Sequence, residues 1–195
     1  HIYSGTETPI GTRYPQSEWG SLGAYLTGRY QLTETFSLEG GLRYNRFDLQ
    51  SRFDTAFYDF PFAQASLNNG ALTGHLGWVW SPGENTRLKG HFSTGFRAPN
   101  VDDVGKVFDS QPGTVIVPNP NLSAEYAYNF ELSAAQVIGE RLKLDLTGYY
   151  SLLNDAMVRR PFSLAGQDSI LYDGTLSQVA ALQNAAQARV YGLQG

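Results

Sequence analysis

Six stretches of the chain, residues 22–32, 36–44, 72–80, 88–97, 125–137 and 142–152, alternate apolar and polar side chains with a period of two. Their charged residues, Arg29, Glu39, Arg43, Lys89, Arg97, Glu125, Glu131, Lys143 and Asp145, all fall on odd positions. The even positions carry Leu26, Leu42, Leu76, Trp80, Phe92, Phe130, Leu146 and Tyr150, with other apolar residues and some Gly, Ala and Thr. Successive side chains of a strand point to opposite faces, so each predicted strand meets an apolar medium on one side and a wet one on the other. A sheet standing between hydrocarbon and an aqueous lumen has this requirement. The predicted fold class is therefore all-β, an antiparallel transmembrane β-barrel segment of about six to seven strands.

Connections alternate short and long. Thr33-Glu34-Thr35, Ser81-Pro82-Gly83-Glu84-Asn85 and Gly139-Glu140-Arg141 predict tight turns, whereas residues 45–70, 98–124 and 153–185 predict long loops rich in Asn, Asp, Ser, Gly and Pro. Bacterial barrels place short turns at the periplasmic rim and long loops outside. Residues 188–193 predict a seventh strand just beginning, and residues 177–188 suit either a short Ala-rich helix or the approach to that strand. Paired strands must keep like faces together, because a slip of one residue would turn every charge toward lipid. The turn at 139–141 then sets Ile138 opposite Leu142, Ala134 opposite Leu146, Leu132 opposite Gly148 and Phe130 opposite Tyr150. Placing Arg97 opposite Glu125 sets Phe96 against Tyr126, Phe92 against Phe130 and His91 against Glu131. Tyr30, Phe36 and Trp80 near the short turns, and Tyr44, Phe96, Tyr126 and Tyr150 near the long loops, predict two interfacial aromatic girdles.

Composition changes this picture little. Charged residues are 16% and the net charge is -4, so no basic face advertises nucleic acid. Cysteine is absent, which removes disulfides and thiolate chemistry. Mean hydropathy is -0.30, as expected where half of each strand faces water. No apolar run is long enough for a spanning helix. The chain begins at His1 without a leader pattern, and six or seven strands are fewer than the smallest bacterial barrels contain, so the expectation is an excerpt of a longer exported chain.

The fourth strand ends in Phe92-Ser93-Thr94-Gly95-Phe96-Arg97-Ala98-Pro99-Asn100, followed by Asn119-Pro120-Asn121-Leu122, Glu125 and Asn129-Phe130-Glu131-Leu132. In order and spacing this resembles the barrel of TonB-dependent outer-membrane receptors, as do residues 38–47, LEGGLRYNRF, and 184–192, NAAQARVYG. The chain departs from the family pattern at Ala124, Ser133 and Gln194, where Pro, Gly and Glu are usual. The resemblance implies that residues 1–195 are part of a barrel of the 22-stranded type, with the plug domain and TonB-contacting segment outside this chain. It also implies a receptor in the bacterial outer membrane that binds siderophore-iron, haem, cobalamin or a glycan and imports it actively. Implied partners are outer-membrane lipid and lipopolysaccharide, the nutrient ligand, and the TonB complex through the N-terminal region. A passive porin and a soluble β-sandwich binding module share parts of the pattern and stay open as alternatives.

Within the motif, Pro99 lacks an amide hydrogen and biases Ala98 toward extended geometry, which ends the ladder. Gly95, Phe96, Arg97, Pro99, Asn100, Asn119, Pro120, Leu122 and Glu125 are its structural residues, and Arg97 with Glu125 can clasp the feet of the loop. Ligand candidates are Arg52 and Tyr58 in one loop, with Phe60 and Phe62, and Asp102, Asp103, Lys106, Phe108 and Asp109 in another; loops of this length also pack on themselves. Arg159 and Arg160 suit an anionic chelate or a lipopolysaccharide phosphate. Catalysis finds no motif: His75 and His91 read as polar wall residues, and Asp102, Asp103 and Asp109 lack a calcium-loop spacing. No enzyme, cofactor or metal is expected.

Overall fold

The computed structural model describes residues 15–54, 63–105, 108–111, 113–139, 141–172 and 174–195. Seven long strands follow one another as antiparallel neighbours: β1 (Gln16–Thr33), β2 (Phe36–Arg52), β3 (Gln64–Gly83), β4 (Thr86–Arg97), β7 (Glu125–Ile138), β8 (Leu142–Pro161) and β10 (Thr175–Gln194). Between β4 and β7 lie a short helix α1 (Val101–Gly105) and two short strands, β5 (Phe108–Gln111) and β6 (Thr114–Ile116); β9 (Ser169–Tyr172) precedes β10. The sheet order is β1-β2-β3-β4-β7-β8-β10-β6-β5, with β9 also on β10. Among the described residues no pairing joins β1 to the far edge, so the sheet is open.

Both predicted registers are present. Ile138 faces Leu142, Ala134 faces Leu146 and Phe130 faces Tyr150 across β7 and β8. Arg97 faces Glu125 and His91 faces Glu131 across β4 and β7. The even-numbered face is bare, with Leu26 79%, Leu42 64%, Leu76 56% and Leu132 64% exposed, as a lipid-facing surface must be.

Four expectations need correction. The strands flanking the first and third long loops outrun their alternating stretches and those loops are correspondingly shorter, β2 running to Arg52, β3 beginning at Gln64 and β8 running to Pro161, whereas β4 ends at Arg97 and β7 begins at Glu125 as predicted. The reason is an inversion of apolar parity. In β2 the apolar residues shift from even Leu42 and Tyr44 to odd Phe47 and Leu49, which are 2% and 1% exposed, while the register with β3 runs on without a slip. Above the lipid band the outer face meets water, and the lumen face packs against folded-in loops. A core of Leu49, Leu67, Val104, Val115, Val117, Leu122, Val179 and Ala181 forms there.

Second, residues 177–188 are strand, not helix, and the seventh strand is 20 residues long instead of incipient. Its ladder with β8 supplies the backbone partners that an isolated Ala-rich helix would otherwise provide. Third, the turn between β3 and β4 is only Glu84-Asn85, because Gly83 pairs with Thr86 after an irregularity at Trp80. The first turn likewise narrows to two residues, since Thr33 pairs with Phe36. Fourth, Phe96 and Tyr126 do not join a lipid girdle. The β3–β4 ladder stops at His75 and Ser93, the Thr94 hydroxyl donates to the Gly74 carbonyl and accepts from its amide, and Phe96 stacks on Phe47 with ring centroids 6.1 Å apart. Phe96 and Tyr126 pack beside Phe47, Ala71 and Ala124.

Glycine in the wall has no single role. A Cβ at Gly74 would lie 2.7 Å from the Gly41 carbonyl oxygen, so two backbones approach closely there, whereas one at Gly20 or Gly28 would meet open space.

Candidate functional site

The loop between β4 and β7 is held at both feet by side chains. Asn100 stands before the first turn of α1: its Oδ1 accepts from the Asp103 amide at 3.0 Å, and Asp103 Oδ2 accepts from the Asn100 amide at 3.0 Å. This is a reciprocal capping box built with aspartate. The same carboxylate takes the fork of Arg97, with Nη1 donating to Oδ2 at 2.6 Å and Nη2 to Oδ1 at 3.2 Å. Arg97 Nε lies 3.3 Å from Glu125 Oε1, the first residue of β7. One guanidinium therefore joins the end of β4, the first turn of α1 and the start of β7. Both carboxylates are nearly buried, at 11% and 12% side-chain exposure, while Arg97 is half exposed. Pro99 and Pro118, on the outgoing and returning legs, are fully buried.

The returning leg is fastened to β10. Strand β6 lies parallel to β10, with the Gln178 amide donating to the Gly113 carbonyl at 2.8 Å and the Val117 amide to the Ala180 carbonyl at 2.9 Å. One step further, the Asn119 carboxamide replaces backbone and donates to the Leu182 carbonyl at 2.7 Å, while its oxygen accepts from the Asn121 amide. Asn184 then closes the leg. Its Oδ1 accepts from the Ser123 amide, and its Nδ2 donates to the Ser123 and Asp155 carbonyls at 2.9 and 2.7 Å. Asp155 makes this possible by adopting φ 55°, at an irregularity in the β8–β10 ladder. Sequence reasoning named Asn119 as motif and quoted Asn184 only within a motif. The usable signal was that two motifs distant in sequence, beginning at Asn119 and at Asn184, each open on an asparagine.

Of the predicted ligand residues, the structure describes the side chains of Arg52, Asp102 and Asp103. Arg52 is the exposed last residue of β2, and Asp102 is exposed on α1. Asp103 is engaged by Arg97 and Asn100. The backbones of Phe108 and Asp109 lie in β5 opposite Ile116 and Val115. Tyr58, Phe60, Phe62 and Lys106 lie outside the described residues. Arg159 and Arg160, near the end of β8, border a hollow with Thr114, Asp168 and Gln178.

Below the loop, the lumen face is polar. Arg29 Nη2 donates to Glu39 Oε2 at 2.6 Å, and the rings of His75 and His91 stack at 6.0 Å. Lys143 pairs with Asp145 at 2.8 Å on the same face. Among the described residues, no group of three or more His, Asp or Glu is arranged to hold a metal ion.

A lipid-facing band, a charged inner wall and a bolted outer loop define this chain as a stretch of outer-membrane β-barrel wall. The family model described as "TonB dependent receptor-like, beta-barrel" matches residues 2–195, and the chain belongs to that family. Its members are transport receptors of the bacterial outer membrane. Hemoglobin-haptoglobin utilization protein B of Neisseria meningitidis serogroup A is 29% identical over 188 residues, covering 88% of this chain and 23% of that protein. Among solved structures, the siderophore receptor PirA of Acinetobacter baumannii shares the fold with a TM-score of 0.68 and 17% identity, covering 96% of this chain and 26% of that one. The Serratia marcescens hemophore receptor HasR does so with a TM-score of 0.66 and 18% identity, covering 91% and 31%. The chain thus spans roughly a quarter of the length of the relatives it matches.

Proposed function

We propose that the full-length protein is a receptor that captures a scarce nutrient at the cell surface and imports it with energy from the TonB complex. In this reading residues 1–195 form wall and outer loops, and a plug with a TonB-contacting segment precedes them in the whole chain. The observation that carries it is the built loop: Arg97 holds its two feet, and Asn119 and Asn184 fasten its returning leg to β10, as a ligand platform requires and a freely solvated loop does not. Among siderophore-iron, haem, cobalamin and glycans, the likeness to the haemoglobin-haptoglobin utilization protein favours haem iron. Arg52 and Tyr58 at one loop, and Asp102, Lys106, Phe108 and Asp109 at another, are the proposed ligand contacts, with Asp103 setting the second loop. The protein acts as a transporter and not as an enzyme.

Growth of an iron-starved strain on haemoglobin or haem as sole iron source tests this. Growth that needs both the full-length receptor and the TonB complex supports it, and TonB-independent uptake refutes it in favour of a passive channel. Deleting residues 102–117 in the full-length protein lowers ligand affinity at least about tenfold, or 1.4 kcal/mol, with the barrel still assembled; unchanged affinity removes that loop from the ligand site.

A further inference from the structure

The outward face of the sheet carries no charge through its lipid-exposed band, and the first charges to return do so in a repeated setting. On β2 the outward row runs from Leu42 to Tyr44, 64% and 53% exposed, and then reaches Arg46. On β10, which runs the other way, it climbs from Leu193 to Tyr191, 79% and 75% exposed, and then reaches Arg189. The outward direction of Arg189 follows from the register: it pairs with Leu152, one step above the Tyr191–Tyr150 pair, whose rings stack at 6.5 Å. Each arginine therefore stands two residues, about 7 Å, on the loop side of a lipid-exposed tyrosine.

Arg46 lies opposite Leu22 on β1 and Gly70 on β3. A Cβ at Gly70 would fall 2.6 Å from the Tyr44 hydroxyl, so the phenol reaches up into the row of Arg46 through space that only glycine leaves. The partners of Arg46 do not satisfy it. Its Nε lies 3.6 Å from Asp48 Oδ2, too far for a hydrogen bond, and both side chains are about half exposed. Such a pair is weak and yields to a better acceptor. No ion pair engages Arg189 among the described residues. Further toward the loops, Asp48 and Glu18 turn the outward face acidic, and positive charge returns to the β2 row only at its last residue, Arg52.

Tyrosines of this kind mark the membrane–water interface, and a long basic side chain just beyond them reaches headgroup phosphate. The arginine fork also matches phosphate oxygens bidentately. We propose that Arg46 with Tyr44, and Arg189 with Tyr191, form two binding sites for the phosphate groups of the glycolipid of the outer leaflet. This rests on the outer-membrane placement and on the long loops facing outward, and is independent of which nutrient is carried.

The test uses the full-length receptor in nanodiscs containing bisphosphorylated lipid A, with retained glycolipid read by native mass spectrometry. Arg46→Gln and Arg189→Gln each lower retention about fivefold, and the double variant about twentyfold, as expected for loss of charge-assisted phosphate contacts. Lysine at both positions restores part of it. Arg43→Gln, whose side chain bonds Asn45 on the lumen face, leaves it unchanged. Dephosphorylated lipid A binds the native receptor as weakly as lipid A binds the double variant. Normal retention by an assembled double variant overturns the proposal, as does equal retention of dephosphorylated lipid. Inorganic phosphate that competes at millimolar concentration overturns the lipid source. Nutrient uptake is scored separately by growth, so failure of either reading is seen without the other.

Discussion

Replacing Arg97 by methionine removes the guanidinium and keeps most of the side-chain volume. What it leaves is worse than a lost ion pair. Asp103 and Glu125, each nearly nine-tenths buried, then share one site without a counter-charge. Breaking a fully buried pair costs about 3–5 kcal/mol, whereas an exposed pair is worth roughly 0.2–1 kcal/mol. With Arg97 half exposed, the cost falls between these, at about 2 kcal/mol. That corresponds to about a 30-fold change in a local opening equilibrium. Hydrogen exchange on the full-length receptor in detergent reads it directly. The Val104 amide, bonded to the Asn100 carbonyl, and the Val117 amide, bonded to the Ala180 carbonyl, lose about 30-fold of their protection. Lys143→Met breaks an ion pair with 66% and 55% exposed partners and changes these amides less than about threefold. Combining Arg97→Met with Asp103→Asn and Glu125→Gln recovers much of the loss, because the stranded charges go with their partner. Equal protection in the native and Arg97→Met proteins, or a triple variant worse than the single one, refutes the clasp.

Three further outcomes follow from the geometry. Asn184→Asp loses both donors to the Ser123 and Asp155 carbonyls and is destabilised locally by about 2–3 kcal/mol, seen as new protease cleavage within residues 113–123; an uncut variant removes Asn184 from the bolt. Gly74→Ala forces a Cβ against the Gly41 carbonyl and costs about 1–3 kcal/mol, while Gly28→Ala, facing open space, is neutral or slightly stabilising; similar urea midpoints for the two would contradict the packing. Leu26→Arg puts charge into the lipid band and lowers stability in liposomes by about 2–4 kcal/mol, whereas Thr27→Arg on the lumen face costs under about 1 kcal/mol, and the reverse order would invert the assignment of faces.

Legibility followed the medium that each residue meets. Where hydrocarbon lies on one side and water on the other, alternation was sufficient for strand pairing, and even the distant Arg97–Glu125 register could be read. Above the lipid, the rule that had identified the strands worked against finding their ends. Phe47 and Leu49 are apolar on the parity that is polar below, so the pattern appears to break while the ladder continues. The clasp was half legible: Arg97 and Glu125 share a face, but the third member, Asp103, depends on a single turn of helix that five residues of sequence do not announce. Asn119 and Asn184 were legible as words and not as partners. Hydrogen-bonded carboxamides stand in for missing backbone amides, and only the three-dimensional placement of β6 against β10 says which amide is missing.

The fastening of the outer loop to β10 also bears on how receptors of this kind diversify. A surface loop tied only to its own two strands is a cassette that recombination can exchange freely. Residues 98–124 are not such a cassette, because their anchor points Leu182 and Asn184 lie in a different hairpin, beyond β8. A chimera that imports a foreign loop here inherits a mismatched β10, while one that transfers residues 98–124 together with 175–186 carries lock and key at once. New binding specificities at this position therefore travel as a pair of segments.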